Sequence, residues 1–276
     1  MRKTLFAALF MLLCFGVTAH GSVSVDMPID IMVNKHYIKT DVRPLLISGV
    51  TYVPIRFVGE ALGAQVAWDS NTRTAMVTDR HDEITMQIGS EYGYVNGWKV
   101  KVENKILLEG DRTFAPVRFI CESLGATVGW DGAHLTVIIN KDGVAPPKQA
   151  YNRGYVDDDV YWLGRIINAE AEGEPMNGKI GVGNVVLNRV RSNLYPDTIY
   201  DVIFDTNNGV QFEPILNGRI QATPSFDSLV AAKYCLQGES VVGESLFFLN
   251  PKTSTSFWIP NNRQYLMALG NHSFYL

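Results

Sequence analysis

Three glutamates, Glu170, Glu172 and Glu174, alternate with small residues in the run NAEAEGEP at positions 168–175. A helix advances about 100° per residue, which places Glu170 in the apolar sector formed by Val160, Leu163, Ile166, Ile167 and Ala171. Glu172 points roughly the other way, beside Arg165 and Asn168, and Gly173 and Pro175 end or bend the helix before Glu174. A carboxylate in an apolar stripe is paired, protonated or functional, because burying its charge alone is costly. Desolvation raises its pKa, as a general acid requires if it is to hold a proton near neutral pH and deliver it to a leaving oxygen. A structural ion pair to Arg189, which shares a face with Val182, Val185 and Val186, explains the same placement. The residues alone leave these two readings balanced.

Other chemistries find fewer residues. His272 is the only histidine of the second half, and a lone imidazole cannot complete a zinc site, so it is expected to be a positioned hydrogen-bonding residue. A zinc amidase therefore lacks ligands. A cysteine peptidase would pair Cys235 with His272, but Cys235 lies in the apolar helical run 229–236, where thiols are inert. No second carboxylate stands out, since Asp197, Asp201, Asp205 and Glu213 fall in turn or surface contexts. Gln211 and Phe212 offer an amide and a stacking face to a sugar, and Phe248, Asn250 and Trp258 cluster in an aromatic-rich strand and loop. For each of these, core packing fits as well as substrate contact.

The elements that must position these residues follow from punctuation. Asp157, Asp158 and Asp159 charge the start of a helix predicted from Val160 to about Ala171. Ahead of it, residues 142–154 lose all periodicity and carry adjacent prolines, the composition of a semi-rigid linker, so a second domain is expected at 155–276. The first half, 27–141, contains a repeat with an offset of 62. TYVPIRFVGEALGAQVAWD at 51–69 aligns without a gap with TFAPVRFICESLGATVGWD at 113–131. Each unit reads as a strand ending at a proline, a short helix stopped by Gly63 or Gly125, and a hairpin, which makes this half α+β. The recurrent Trp68 and Trp130 are expected to pack in the core. Arg56 and Arg118 are expected to pair with Glu60 and Glu122 one turn on.

The chain has 276 residues, 46% hydrophobic and 19% charged, with a formal net charge of −4. It is too apolar for disorder, and without a basic cluster it is not expected to bind nucleic acid. Arg2 and Lys3 precede an apolar run and small residues, the plan of a secretory signal peptide with cleavage expected after Ala19. Leu13 is too bulky for a lipoprotein signal at Cys14. Cys121 and Cys235 read as buried thiols rather than a disulfide framework. No metal and no cofactor is expected.

Residues 27–141 resemble the copper amine oxidase N-terminal-like, or stalk, domain of exported proteins, on the strength of the two repeated strings. The resemblance implies a non-catalytic module that contacts a cell-envelope component. Residues 158–276 resemble the cell wall hydrolase family of the spore cortex-lytic enzymes, through LGRIINAEAEGEP, GKIGVGNVVLNRVRSNLYPDTIYDVI, QFEPILNGRI, LFFLNPKTSTSFW and GNHSFYL in the family's order. That implies a small lysozyme-like, lytic-transglycosylase-like α+β catalytic domain acting on the peptidoglycan glycan strands of the spore cortex during germination. It makes Glu170 the catalytic acid and places the protein in the cell wall or spore envelope. Glu213 departs from the family's usual serine after the Gln-Phe pair. The alternatives are an N-acetylmuramoyl-L-alanine amidase and an envelope protein that grips glycan without cleaving it.

Overall fold

The computed structural model describes residues 25–145, 147–207 and 209–276. The predicted signal segment and Cys14 lie outside them.

Proline and glycine punctuate the first half as the sequence predicts. Strand Val50–Pro54 runs into α1 (Ile55–Ala61), and strand Arg112–Pro116 into α2 (Val117–Ser123). Each proline is the residue before the first helical turn, where a missing N–H costs nothing. Gly63 and Gly125, with φ of +83° and +71°, let the chain leave each helix in the left-handed conformation. The two strands pair antiparallel in a register that sets Val53 opposite Ala115. These residues are 62 apart, so each lies across from its own sequence equivalent, and the pairing has a local two-fold character.

This pair sits inside a five-stranded sheet with Val25–Asp26 and Leu107–Glu109 at its edges. After α1 the chain forms a five-stranded meander that begins with the edge strand Gln65–Asp69. After α2, strands Thr127–Asp131 and Thr136–Asn140 form a hairpin whose second strand pairs parallel with Asp30–Val33 and completes a four-stranded sheet. Asp69 and Asp131 each accept backbone N–H groups two and three residues on, which fixes the hairpin turns.

Two expectations for this half fail. Trp68 and Trp130 are 39% and 49% exposed rather than core. Both sit on edge strands, where no neighbouring strand covers an indole on that side. Arg118 pairs with Glu122 at 3.3 Å as expected. Glu60, however, accepts a hydrogen bond from Gln149 Nε2 at 3.2 Å, and Arg56 has no ion-pair partner among the described residues.

The second half is helical, with α3 (Asp157–Ala171), α4 (Met176–Arg191), α5 (Ile199–Phe204), α6 (Phe226–Leu236) and the short α7 (Trp258–Asn262). A three-stranded sheet, ordered Phe247–Leu249, His272–Tyr275, Tyr265–Leu269, completes it. Leu163, Ile166, Ile167 and Ala171 of α3 are buried against α4 and α6, which is the apolar sector read from the sequence. Among the described residues, no helix is long and apolar enough to cross a membrane.

The halves meet across a buried charge cluster. Asp30 on strand Asp30–Val33 accepts hydrogen bonds from Lys233 of α6, from Arg153 at 2.9 Å and from the Tyr155 hydroxyl at 3.1 Å. Lys233 is wholly buried. Burial pulls its pKa down and Asp30 opposes that shift. Beside it, Val230 packs into the hydrophobic core of the first half.

Candidate active site

Glu170 lies in the last turn of α3 and is partly buried. Among the described residues its carboxylate forms no hydrogen bond and no ion pair, so the pairing with Arg189 that would have explained its placement is not made. Burial pushes its pKa up to about 7. Arg219 and Arg189 pull the other way, and Glu213 adds to the rise. A group with that pKa holds a proton at neutral pH and releases it there readily, which suits one residue acting first as acid and then as base.

The helix is held where it stops. Lys179, buried at the start of α4, donates to the carbonyls of Glu172 (2.8 Å) and Glu174, satisfying acceptors beyond the end of α3 with a positive charge. Glu174 accepts from Asn271, in the turn before strand His272–Tyr275. That turn comes so close that a Cβ on Gly270 would collide with Glu174 Oε2, and Gly270 has a φ of +61°. Arg165, one face round α3, donates to the carbonyls of Ile220 and Ala222 and so fixes the loop that carries Arg219.

The motif GNVVLNRV does similar work on α4. Asn184 bonds the backbone at Glu239 and Val241, Asn188 the carbonyls of Gly243 and Ser245, and Arg189 the carbonyl of Leu246 at 2.9 Å. These three side chains fasten the loop leading into strand Phe247–Leu249. Arg189 is buried, which lowers its pKa, and its guanidinium lies over the rings of Tyr195 and Phe212. Arg189 Nη1 also approaches Gln211 Oε1 at 3.5 Å. These buried polar partners were not assigned from the sequence, although asparagines and an arginine at inward-facing helical positions were a visible signal.

The remaining sequence-predicted residues divide. Gln211 is partly exposed and spans Arg189 and the carbonyl of Gly209. Phe212 is only 2% exposed and fills the helical core, so it cannot offer a face to a sugar. Phe248 is partly buried, tilted against Phe212 and edge-on to His272. Asn250 makes a local turn by accepting from the Lys252 N–H. Trp258, 53% exposed, stands at the start of α7 beside Phe247 and Arg263. His272 is buried with Nδ1 unpartnered, and burial lowers its pKa. Among the described residues Nδ1 thus lacks the hydrogen-bond partner that was expected. Glu213 is exposed on the short turn Glu213–Ile215 that packs on α3, near enough to raise the pKa of Glu170.

Competing chemistries lose their groups. Cys235 is buried in α6 against the carbonyl of Ile180, and burial pushes its thiol pKa far up, the opposite of an activated nucleophile. Among the described residues, no three His, Cys, Asp or Glu side chains gather as a metal site would require, so the residues do not fit copper or zinc.

Comparison with known proteins finds separate matches for the two halves. Residues 32–139 match the family model of the copper amine oxidase N-terminal domain, and residues 173–275 that of Cell Wall Hydrolase, whose match begins three residues beyond Glu170. The spore cortex-lytic enzyme of Oceanobacillus iheyensis is 32% identical over 134 residues, which cover 49% of this chain and 47% of that protein. The spore cortex-lytic enzyme of Halalkalibacterium halodurans is 34% identical over 121 residues, 44% of this chain and 36% of that protein. The chain thus spans about half or less of the length of these relatives. The solved catalytic domain of the germination-specific lytic transglycosylase SleB from Bacillus anthracis is 32% identical, with all of it and 46% of this chain covered at a TM-score of 0.42. The chain therefore joins a match to the copper amine oxidase N-terminal domain in its first half to a match to the Cell Wall Hydrolase domain in its second.

Proposed function

We propose that this protein cleaves the glycan strands of peptidoglycan at the bond between N-acetylmuramic acid and N-acetylglucosamine, with Glu170 as the acid. The observation that carries this reading is the unpaired, partly buried Glu170 carboxylate with its pKa near 7. Protonated Glu170 gives its proton to the glycosidic oxygen as the bond breaks toward an oxocarbenium-like transition state. The muramic C6 hydroxyl then attacks the anomeric carbon, and the Glu170 carboxylate takes the hydroxyl proton. One residue serves both steps, and the product ends in an anhydro sugar. Spore cortex-lytic relatives support cortex peptidoglycan as the substrate and the spore envelope as the site of action, and the N-terminal half would contact the envelope.

Glu213 favours a second reading of the same site. A carboxylate near enough to raise the pKa of Glu170 can act as the base for a water molecule, and glycosidases that use two carboxylates hydrolyse the bond outright.

Mass spectrometry of the products from purified peptidoglycan decides between them. Anhydromuramic ends that vanish in Glu170→Gln support the first reading. Reducing muramic ends that vanish in Glu213→Gln support the second, and free stem peptides would overturn both in favour of an amidase.

A further inference from the structure

Two clefts on the N-terminal half are built from positions 62 apart. The first, about 500 Å³, is lined by Ile55, Arg56 and Trp68 and closed by Leu108 and Arg112 from the other unit's hairpin. The second, about 370 Å³, is lined by the equivalents Val117, Arg118 and Trp130 and closed by Leu46 and Val50. Each cleft thus takes its helix start and tryptophan from one unit and its far wall from the other, as the two-fold pairing of Val53 with Ala115 requires.

Their contents differ. Phe226, the first residue of α6, reaches into the lining of the Trp130 cleft, and Arg118 there is occupied by Glu122. The Trp130 cleft is therefore shared with the second half, which contributes Phe226 to its wall. Among the described residues, none of the second half lines the Trp68 cleft. Its arginine, Arg56, is exposed and has no ion-pair partner among the described residues.

We propose that the Trp68 cleft is a carbohydrate-binding site that holds a hexosamine ring of a wall glycan strand against the indole. Trp68 supplies a flat apolar platform for the C–H face of a pyranose. Around it stand donors and acceptors of both signs, Arg56, Asp111 and the Asp41–Arg112 pair, which is bonded at 2.6 Å. Cationic and anionic groups are balanced, so the rim does not select a charged ligand. It matches the hydroxyl and acetamido edge of a sugar, which both donates and accepts. That the sugar comes from the wall rests on the function proposed above, but the site lies on the half that carries no acid catalyst. It would hold the protein on its substrate while the second half cleaves.

The test uses the full chain as Glu170→Gln, labelled with 5-fluorotryptophan, and glycan strands freed of their stem peptides. The five tryptophans give five fluorine resonances, assigned by single Trp→Phe variants. The Trp68 resonance should shift and saturate while the Trp130 resonance stays in place, and Arg56→Ala should weaken the dissociation constant at least fivefold. A Trp68 resonance that does not move at the highest soluble glycan concentration overturns the proposal. Trp258, exposed in the second half, reports separately on the catalytic side. Movement of Trp258 alone overturns the Trp68 site and leaves the proposed function standing. Movement of Trp68 alone supports the site and counts against substrate binding near Trp258. With Glu170 intact, Trp68→Ala should slow the clearing of insoluble peptidoglycan severalfold and leave the cleavage of short soluble fragments unchanged. Equal loss on both substrates would overturn the anchoring role.

Discussion

Glu174 accepts two hydrogen bonds from Asn271, one from its backbone N–H at 2.8 Å and one from Nδ2 at 3.0 Å. The carboxylate thereby ties the segment after α3 to the hairpin that carries His272. Burial pushes its pKa up, but the Asn271 donors, with His272 and Lys179, outweigh burial and hold it below the ordinary glutamate value. A carboxylate with a lowered folded pKa adds stability above its unfolded pKa and loses it as pH falls through the folded value. Glu174→Ala should destabilise the chain by about 1–3 kcal/mol at pH 7 and by less below pH 4, as chemical denaturation at the two pH values will show. Gly270→Ala should be at least as damaging, because the added carbon meets Glu174 and the positive φ disfavours alanine.

Glu170 has the opposite sign. Its pKa is raised from an ordinary 4.5 to about 7, so its ionised form is disfavoured by folding. Stability should be full below pH 4.5, decline between there and pH 7, and level off above. Glu170→Gln should abolish cleavage and yet melt higher than the parent above pH 7, by about 1–3 kcal/mol, with little difference at pH 4. In the parent, kcat/KM should fall as pH rises through about 7, because the acid is then lost.

The charges around Glu170 allow a sharper check. Arg219 favours its ionised form and Glu213 disfavours it, and both are exposed, so neither substitution should threaten the fold. Arg219→Gln should move the alkaline limb of the pH–rate profile upward and Glu213→Gln should move it downward, with both shifts shrinking at high salt. Limbs that stay fixed would mean that another group titrates in the profile.

How much of this was legible in the sequence depends on how locally each feature is encoded. The α3 stripe was readable because Leu163, Ile166 and Ile167 repeat with the helical period and need only a surface to pack on. The proline-to-glycine span of α1 and α2 was readable for the same reason. The exposure of Trp68 and Trp130 was not, because it follows from edge-strand positions that pairing alone decides. Phe212 reads equally well as platform or core, and only its place under Arg189 settles it. The partnership of Asp30 with Lys233 joins residues 203 apart in sequence, and no periodicity connects them.

That partnership carries its own prediction. Asp30→Ala leaves the fully buried Lys233 without its nearest counter-charge and should cost about 3–5 kcal/mol. Adding Lys233→Met to Asp30→Ala should restore most of the loss, because an apolar side chain of similar length needs no partner there. Calorimetry of the three variants will show this. The parent should unfold in one transition, and Asp30→Ala should separate the halves into two.

The same contact limits how this chain can be recombined. Linker-joined modules are commonly exchanged between proteins as independent pieces, but the second half here loses the carboxylate partner of Lys233 and the cover over the apolar Val230 once the first half is removed. Any module grafted in front of it must bring an acid to the position of Asp30 and a greasy surface beside it. The compatibility of the two halves thus resides in one strand and one helix as much as in the linker.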